Sequence, residues 1–115
     1  MIENAKITNI SLNFRDHGIL TLDIIIEGCG WGCCFGGRVF GSGYLGAKEF
    51  KGSEKGIECI MRIMDVIGVE DLLEAKGKYI RVQITSWGGT IEKIGNIISD
   101  KWFSYSDVYG EEYHD

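Results

Sequence analysis

The chain has 115 residues, a formal net charge of −5, and ordinary shares of apolar (44%) and charged (25%) residues. That is the composition of one globular domain, residues 1–115, with a modest core. The acidic balance argues against a reader of duplex nucleic acid, which needs surplus Lys and Arg to displace counterions. It leaves room for a small anionic ligand held by one or two placed arginines.

Residues 6–14 alternate, with Thr8, Ile10, Leu12 and Phe14 on one face and Asn9, Ser11 and Asn13 on the other, which predicts a half-buried strand. Arg15-Asp16-His17-Gly18 forms the turn, and residues 19–27 give a second strand with Leu20, Leu22, Ile24 and Ile26 on one face. The pair reads as a β-hairpin.

The stretch from Cys29 to Gly46 interleaves glycines with Trp31, Phe35, Phe40 and Tyr44. Disordered linkers lack aromatics, so the pattern predicts a bent or bulged third strand, about Trp31 to Phe40, with rings packed over bare backbone. Residues 41–52 read as loop, with Tyr44, Leu45 and Phe50 apolar enough to pack down.

Ser53 followed by Glu54 signals a helix start, and Gly68 its end. Between them Ile57, Ile60, Met61, Met64 and Ile67 recur at helical spacing, the expected face against the sheet. Residues 69–75 suggest a second short helix ended by Gly77. Residues 78–87 form the clearest later strand: Ile80, Val82 and Ile84 point one way, Tyr79, Arg81, Gln83, Thr85 and Trp87 the other. Gly88-Gly89 fits a hairpin turn into residues 90–98. The segment from Ser99 onward carries Trp102, Phe103, Tyr105, Tyr109 and Tyr113 among acids, and calls for a packing partner such as a neighbouring subunit. The fold class is α+β: an antiparallel sheet of three N-terminal strands plus a later hairpin, covered by one or two helices.

No apolar run approaches the length that spans a bilayer. Met1 to Lys6 lacks the basic-then-apolar pattern of an export signal. The expectation is a cytoplasmic protein with no membrane partner, whose Cys29, Cys33, Cys34 and Cys59 are free thiols. Cys29-x3-Cys33-Cys34 is not a zinc spacing, and His17 sits in a turn. Neither a metal site nor thiol catalysis is expected.

The chain has no phosphate-binding Gly-x-x-x-x-Gly-Lys-Ser/Thr loop and no Gly-x-Ser-x-Gly elbow. Gly36-Gly37 and Gly41-Ser42-Gly43 lack the context of a dinucleotide fingerprint. Glu70-Asp71 and Glu111-Glu112 read as solvated faces. No catalytic residue is assigned, and no cofactor.

The outward face of the strand 78–87 is more suggestive. Tyr79, Arg81, Gln83 and Trp87 offer a phenol, a guanidinium, an amide and an indole, a set that can stack a purine, pair with phosphate and hydrogen-bond a base edge. The alternative is that Tyr79 and Trp87 pack under the glycine loop while Arg81 bonds a carboxylate. Arg62 has a plain explanation as the i,i+4 partner of Glu58, and Asn96 as a strand-end or turn residue.

Several segments resemble a phage-encoded family. Asn4-Ala-Lys-Ile-Thr-Asn9, Gly30-Trp-Gly-Cys33, Gly43-Tyr-Leu-Gly46, Met61-Arg-Ile-Met-Asp65, Gly95-Asn-Ile-Ile98 and Asp100-Lys-Trp-Phe103 are similar to the first Thoeris anti-defence family, over about Asn4 to Phe103. In Thoeris immunity a TIR-domain enzyme makes a cyclic ADP-ribose isomer that triggers a suicidal effector. The resemblance implies a sponge that binds this messenger without cleaving it, in the bacterial host cytoplasm. It also implies a homo-oligomer, a dimer or an assembly of dimers, with pockets between paired subunits. Some members hold cyclic oligonucleotides at a separate site, which extends the expectation to CBASS messengers.

The family pocket uses an arginine, an aromatic ring and an asparagine in that order, which Arg62, Trp87 and Asn96 match. The resemblance then has Trp87 stacking adenine, Arg62 meeting base or phosphate, and Asn96 bonding a polar edge, with Arg81 and Tyr79 beside them. A further arginine expected near the C-terminus is missing, since none follows Arg81. Two alternatives stand beside this reading. One is a phage inhibitor of a bacterial defence protein, anti-CRISPR-like, whose acidic aromatic tail mimics nucleic acid. The other is a structural oligomer with no ligand.

Overall fold

Alternating apolar residues bury one side of a strand, and three long strands meander on that rule. The computed structural model describes residues 1–43, 46–85 and 90–110. In it β1 (Ile2–Asp16) pairs antiparallel with β2 (Ile19–Gly28), and β2 with β3 (Trp31–Ser42). The first turn is His17-Gly18, with φ of 52° and 76°. Positive φ at both central residues is what a two-residue hairpin needs to match strand twist.

The face expected for β1 is corrected. Ile7 and Ile10 are both buried although three apart, because the register slips between Ile7 and Asn9. This bulge at Thr8 turns the strand by one residue. Leu12, expected inside with Ile10, is 48% exposed. On β2, Leu22, Ile24 and Ile26 are fully buried as the alternation predicts.

The segment 41–52 is not all loop. Lys51–Gly52 forms β4, paired with Ser42 and Gly41, and Phe50 is exposed. Tyr44 and Leu45 lie outside the described residues. Helix α1 (Glu54–Ile67) starts and stops as read: Ser53 Oγ accepts from Gly56 N at 3.0 Å, and Gly68 closes it at φ 86°. Its buried face is rotated from the expected one. Gly56, Cys59, Ile63, Val66 and Ile67 are buried, whereas Ile57 and Met61 are 53% and 65% exposed. Small residues at the contact let a helix approach closely, so Gly56 and Cys59 mark the seam that the larger aliphatics obscured.

The second short helix is a 3-10 turn, Leu72–Ala75, with the Asp71 carboxylate accepting from Leu73 N (2.9 Å). Then β5 (Tyr79–Ile84) pairs with the free edge of β1, β6 (Ile91–Gly95) with β5, and β7 (Trp102–Phe103) with β6. The glycine turn expected at Gly88-Gly89 lies outside the described residues, although Thr85 N bonds Thr90 O (3.0 Å) on either side of it. The aromatic C-terminal segment finds its partner within its own chain: Phe103 and Tyr105 are buried in the core, and a short α2 (Ser106–Tyr109) follows.

All pairings are antiparallel, in the order β4-β3-β2-β1-β5-β6-β7. Five strand spacings separate β3 from β7, about 24 Å on a flat sheet at ~4.8 Å each. Yet Phe35 of β3 and Phe103 of β7 have ring centroids 6.3 Å apart, and Tyr105 stacks on Phe35 at 5.1 Å. The sheet is therefore curled into a half-barrel around its core, to which α1 contributes Cys59, Ile63 and Val66. The α+β class and antiparallel sheet agree with the sequence.

Candidate ligand-binding face

The convex side of β5, β6 and β7 gathers the polar and aromatic side chains that the core excludes. Alternation on β5 turns Ile80, Val82 and Ile84 inward and leaves Tyr79, Arg81 and Gln83 outside. On β6, Ile91 and Ile94 are both buried although three apart, and the register shifts opposite Gln83/Ile84. The bulge places both Glu92 and Lys93 outside, next to Gln83. Gln83 Nε2 donates to Glu92 Oε2 at 3.1 Å.

Register then builds a row across four strands: Asn4, Arg81, Gly95 and Trp102. Gly95 is the vacancy in that row. A Cβ there would lie 2.5 Å from Trp102 Cε3, so only glycine lets the indole lie down across β6. Lying there, the ring has the Arg81 guanidinium 4.8 Å and the Lys93 ammonium 5.4 Å from its centroid. Its Nε1–H donates to Asp100 Oδ1 (3.0 Å). One rung along, Lys6 Nζ stands 5.7 Å from the Tyr79 ring. Three cations and two aromatic faces thus share one surface of a chain whose net charge is −5. Cations over rings hold each other in place, and their remaining N–H groups can meet an anion.

Arg81 is the organising residue. Its Nε donates to Asn96 O (2.7 Å) and its Nη2 to Ser99 O (2.8 Å), so the guanidinium bridges two carbonyls of the β6–β7 turn. A planar fork does this where a lysine could not. The expected alternative, Arg81 on a carboxylate, is replaced by this carbonyl bridge. Asn96 is a turn residue. Its Nδ2 donates to Val66 O near the end of α1 (2.8 Å), and its Oδ1 accepts from Ile98 N (2.9 Å) and Ser99 N (2.8 Å). Lys101 Nζ adds a bond to Asp65 Oδ1 (3.2 Å). The carboxamide oriented toward a ligand by the family pattern is here committed to tying the turn to α1.

The structure therefore brings Arg81 and Asn96 together, with Tyr79 exposed on the same strand as Arg81. Arg62 stands apart on α1, its Nε 2.7 Å from Glu58 Oε2 in an exposed i,i+4 pair. Trp87 lies outside the described residues. The aromatic platform on this face is Trp102, which the sequence reading placed in the tail; the signal for it was the glycine at position 95, interrupting an apolar strand at the point where a ring lies across it.

Two depressions lie at the other edge of the sheet. One, of about 360 Å³, is lined by Gly52, Ser53, Glu54 and Ile57, and one of about 130 Å³ lies among Phe14, Leu20, Phe40 and Phe50. Among the described residues no group of three or more His, Cys, Asp or Glu could hold a metal ion. No helix among them is long and apolar enough to cross a membrane. Burial pushes the Cys59 thiol up to about 11, against a weaker opposing hydrogen bond with Tyr109. Such a thiol is a packing group and not a nucleophile. Comparison with protein-family models, curated proteins and solved structures returned no match.

Proposed function

We propose that the protein is a non-enzymatic sponge that binds a cyclic nucleotide messenger, a cyclic ADP-ribose isomer first and a cyclic oligonucleotide second. Sequestering the messenger intact would keep a Thoeris or CBASS effector silent in a phage-infected cell. The observation that carries the reading is the row Arg81–Gly95–Trp102 with Lys93 beside it. An indole face suits a purine, and flanking cations suit the phosphates that every cyclic nucleotide carries. The segment resemblance points to the same ligand class and supplies the messenger's name.

Arg81, Trp102, Lys93 and Tyr79 form the contact face, and Asn96 positions Arg81 through the turn. Arg62 and Trp87 remain the family-matched contributors. An open sheet face covers one side of a ligand, so pairing of subunits would provide the other wall of each pocket. No cofactor or metal is required. The direct-inhibitor alternative loses part of its basis, because Phe103 and Tyr105, which begin its acidic aromatic tail, are core residues.

Calorimetry with cyclic ADP-ribose isomers and cyclic oligonucleotides tests the proposal, followed by heat denaturation and mass analysis of the released ligand. Binding with unchanged ligand is expected. Linear products would make the protein a hydrolase, and no heat with any of these ligands would end the sponge reading.

A further inference from the structure

The row beside Arg81–Gly95–Trp102 carries a charge of the opposite sign. In register it runs Ile2, Gln83 and Lys93, one rung or about 6.8 Å along the strands from the indole row. The bulge in β6 adds Glu92 to it. Lys93 leans out of this row, with its ammonium 5.4 Å from the Trp102 centroid. That leaves the Glu92 carboxylate, held at 3.1 Å by Gln83 Nε2, as the charged group over the second row.

Two carboxylates border the cations, and they are used differently. Asp100 is spent on the fold: it accepts the Trp102 indole N–H at 3.0 Å and fixes the ring. Glu92 fixes nothing that the fold needs. It is exposed, and its donor is an amide that water would satisfy equally well. Among the described residues it joins no ion pair, although Lys93 follows it in sequence.

A face built only to attract negative charge would be better without an acid here. A like charge one rung from Arg81 weakens the pull on every anion. What offsets that loss is a second kind of contact. A carboxylate with one donor keeps lone pairs for others, and the groups of a nucleotide that donate side by side are the vicinal hydroxyls of a ribose. Carboxylates are the usual partners of ribose hydroxyls in dinucleotide sites.

We infer that Glu92, positioned by Gln83, is the specificity residue of this face: it accepts the hydroxyl pair of a ribose and disfavours a phosphate in that place. The inference rests on the nucleotide-binding reading above and decides which nucleotide is preferred. Arg81 and Lys93 converge on one ring, so together they suit a compact pyrophosphate. A ribose attached to that pyrophosphate reaches one rung further, onto Gln83 and Glu92. Cyclic ADP-ribose has adjacent phosphates and free hydroxyl pairs on its riboses. Cyclic di-AMP has each 3′ oxygen esterified, so it brings a phosphodiester to Glu92 where the other ligand brings hydroxyls.

Calorimetry with these two ligands, on the wild type and on Glu92→Gln, tests the inference. The readout is the ratio of the two affinities, which damage to the fold would not change selectively. The wild type should prefer cyclic ADP-ribose. Glu92→Gln should shrink that preference at least ~10-fold, the loss of a charged acceptor together with a repulsion. Its circular dichroism should stay unchanged, because the residue is exposed. Glu92→Asp, which keeps the charge, should retain most of the preference, and Arg81→Ala should weaken both ligands. A preference that survives Glu92→Gln, or a wild type that favours cyclic di-AMP, would overturn the role of Glu92 while leaving a nucleotide binder. No heat with either ligand would remove the nucleotide reading itself, and this inference with it.

Discussion

The molecule uses one small device twice. In each case a tryptophan faces a glycine across an antiparallel pair, lies over its bare backbone, and donates its indole N–H to a carboxylate. Trp31 covers Gly28 and bonds Glu3 Oε1 at 3.3 Å; Trp102 covers Gly95 and bonds Asp100 Oδ1 at 3.0 Å. Trp31 is on the inner side of the half-barrel and packs against the core. Trp102 is on the outer side, with Arg81 and Lys93 at its ring. The same local chemistry closes a core in one place and makes a charged aromatic platform in the other. What differs is the side of the sheet, which alternation and the Glu92 bulge decide.

Alanine at each tryptophan gives the largest contrast. Trp31→Ala should lower stability by about 2–4 kcal/mol, the range for a large ring packed on a core, measured by urea denaturation. Trp102→Ala should lose only about 1 kcal/mol because the ring lies on an exposed face, yet reduce messenger affinity in calorimetry by at least ~10-fold. Equal losses of stability with unchanged affinity would make both rings structural and remove the distinction.

The inner side can also be probed by pH. The Cys59 thiol is raised from 9.0 to about 11 by burial, so above pH 9 the unfolded chain gives up this proton before the folded one does. The stabilisation is whole below about 9 and is lost as pH rises toward 11, roughly 2–3 kcal/mol in total. The difference in stability between the wild type and Cys59→Ala, followed over this window, should shrink by that amount. A constant difference would mean that the thiol ionises as freely in the fold as outside it.

The smallest expected effect separates the two arginines. Arg62→Ala removes an exposed helix pair and should change stability by no more than about 0.5 kcal/mol. Arg81→Ala should instead speed hydrogen exchange at Ile98 and Ser99, since two turn carbonyls lose their donor. If Arg62→Ala also abolishes ligand binding, the family-matched arginine contributes to the pocket as the resemblance implies.

Much of this fold could be read from residue order because β5 obeys a period of two throughout and β2 does so from Leu22 to Ile26. β1 and β6 do not. A bulge leaves no residue type behind it, so the inward turn of Ile7 and the outward turn of both Glu92 and Lys93 were invisible. The caps of α1 were legible in Ser53 and Gly68, since capping is local chemistry. Its buried face was not, because Gly56 and Cys59 carry little hydrophobic signal and the contact depends on what the sheet presents. The outward set Tyr79, Arg81 and Gln83 was legible from alternation alone. Trp102 was missed as its partner because a two-residue strand has no period to read, and Asn96 was read as open to two roles that only the contact with Val66 decides.

The place of β1 in the middle of the sheet has a consequence for how the protein forms. The meander β1–β2–β3 can assemble from neighbours in sequence, but the side of β1 that meets β5 waits for partners far along the chain, with Ile2 opposite Gln83 and Lys6 opposite Tyr79. Closing so long a loop is slow relative to hairpin formation. During that interval β1 is itself an edge of the growing sheet, and the arrival of β5 turns it into an interior strand.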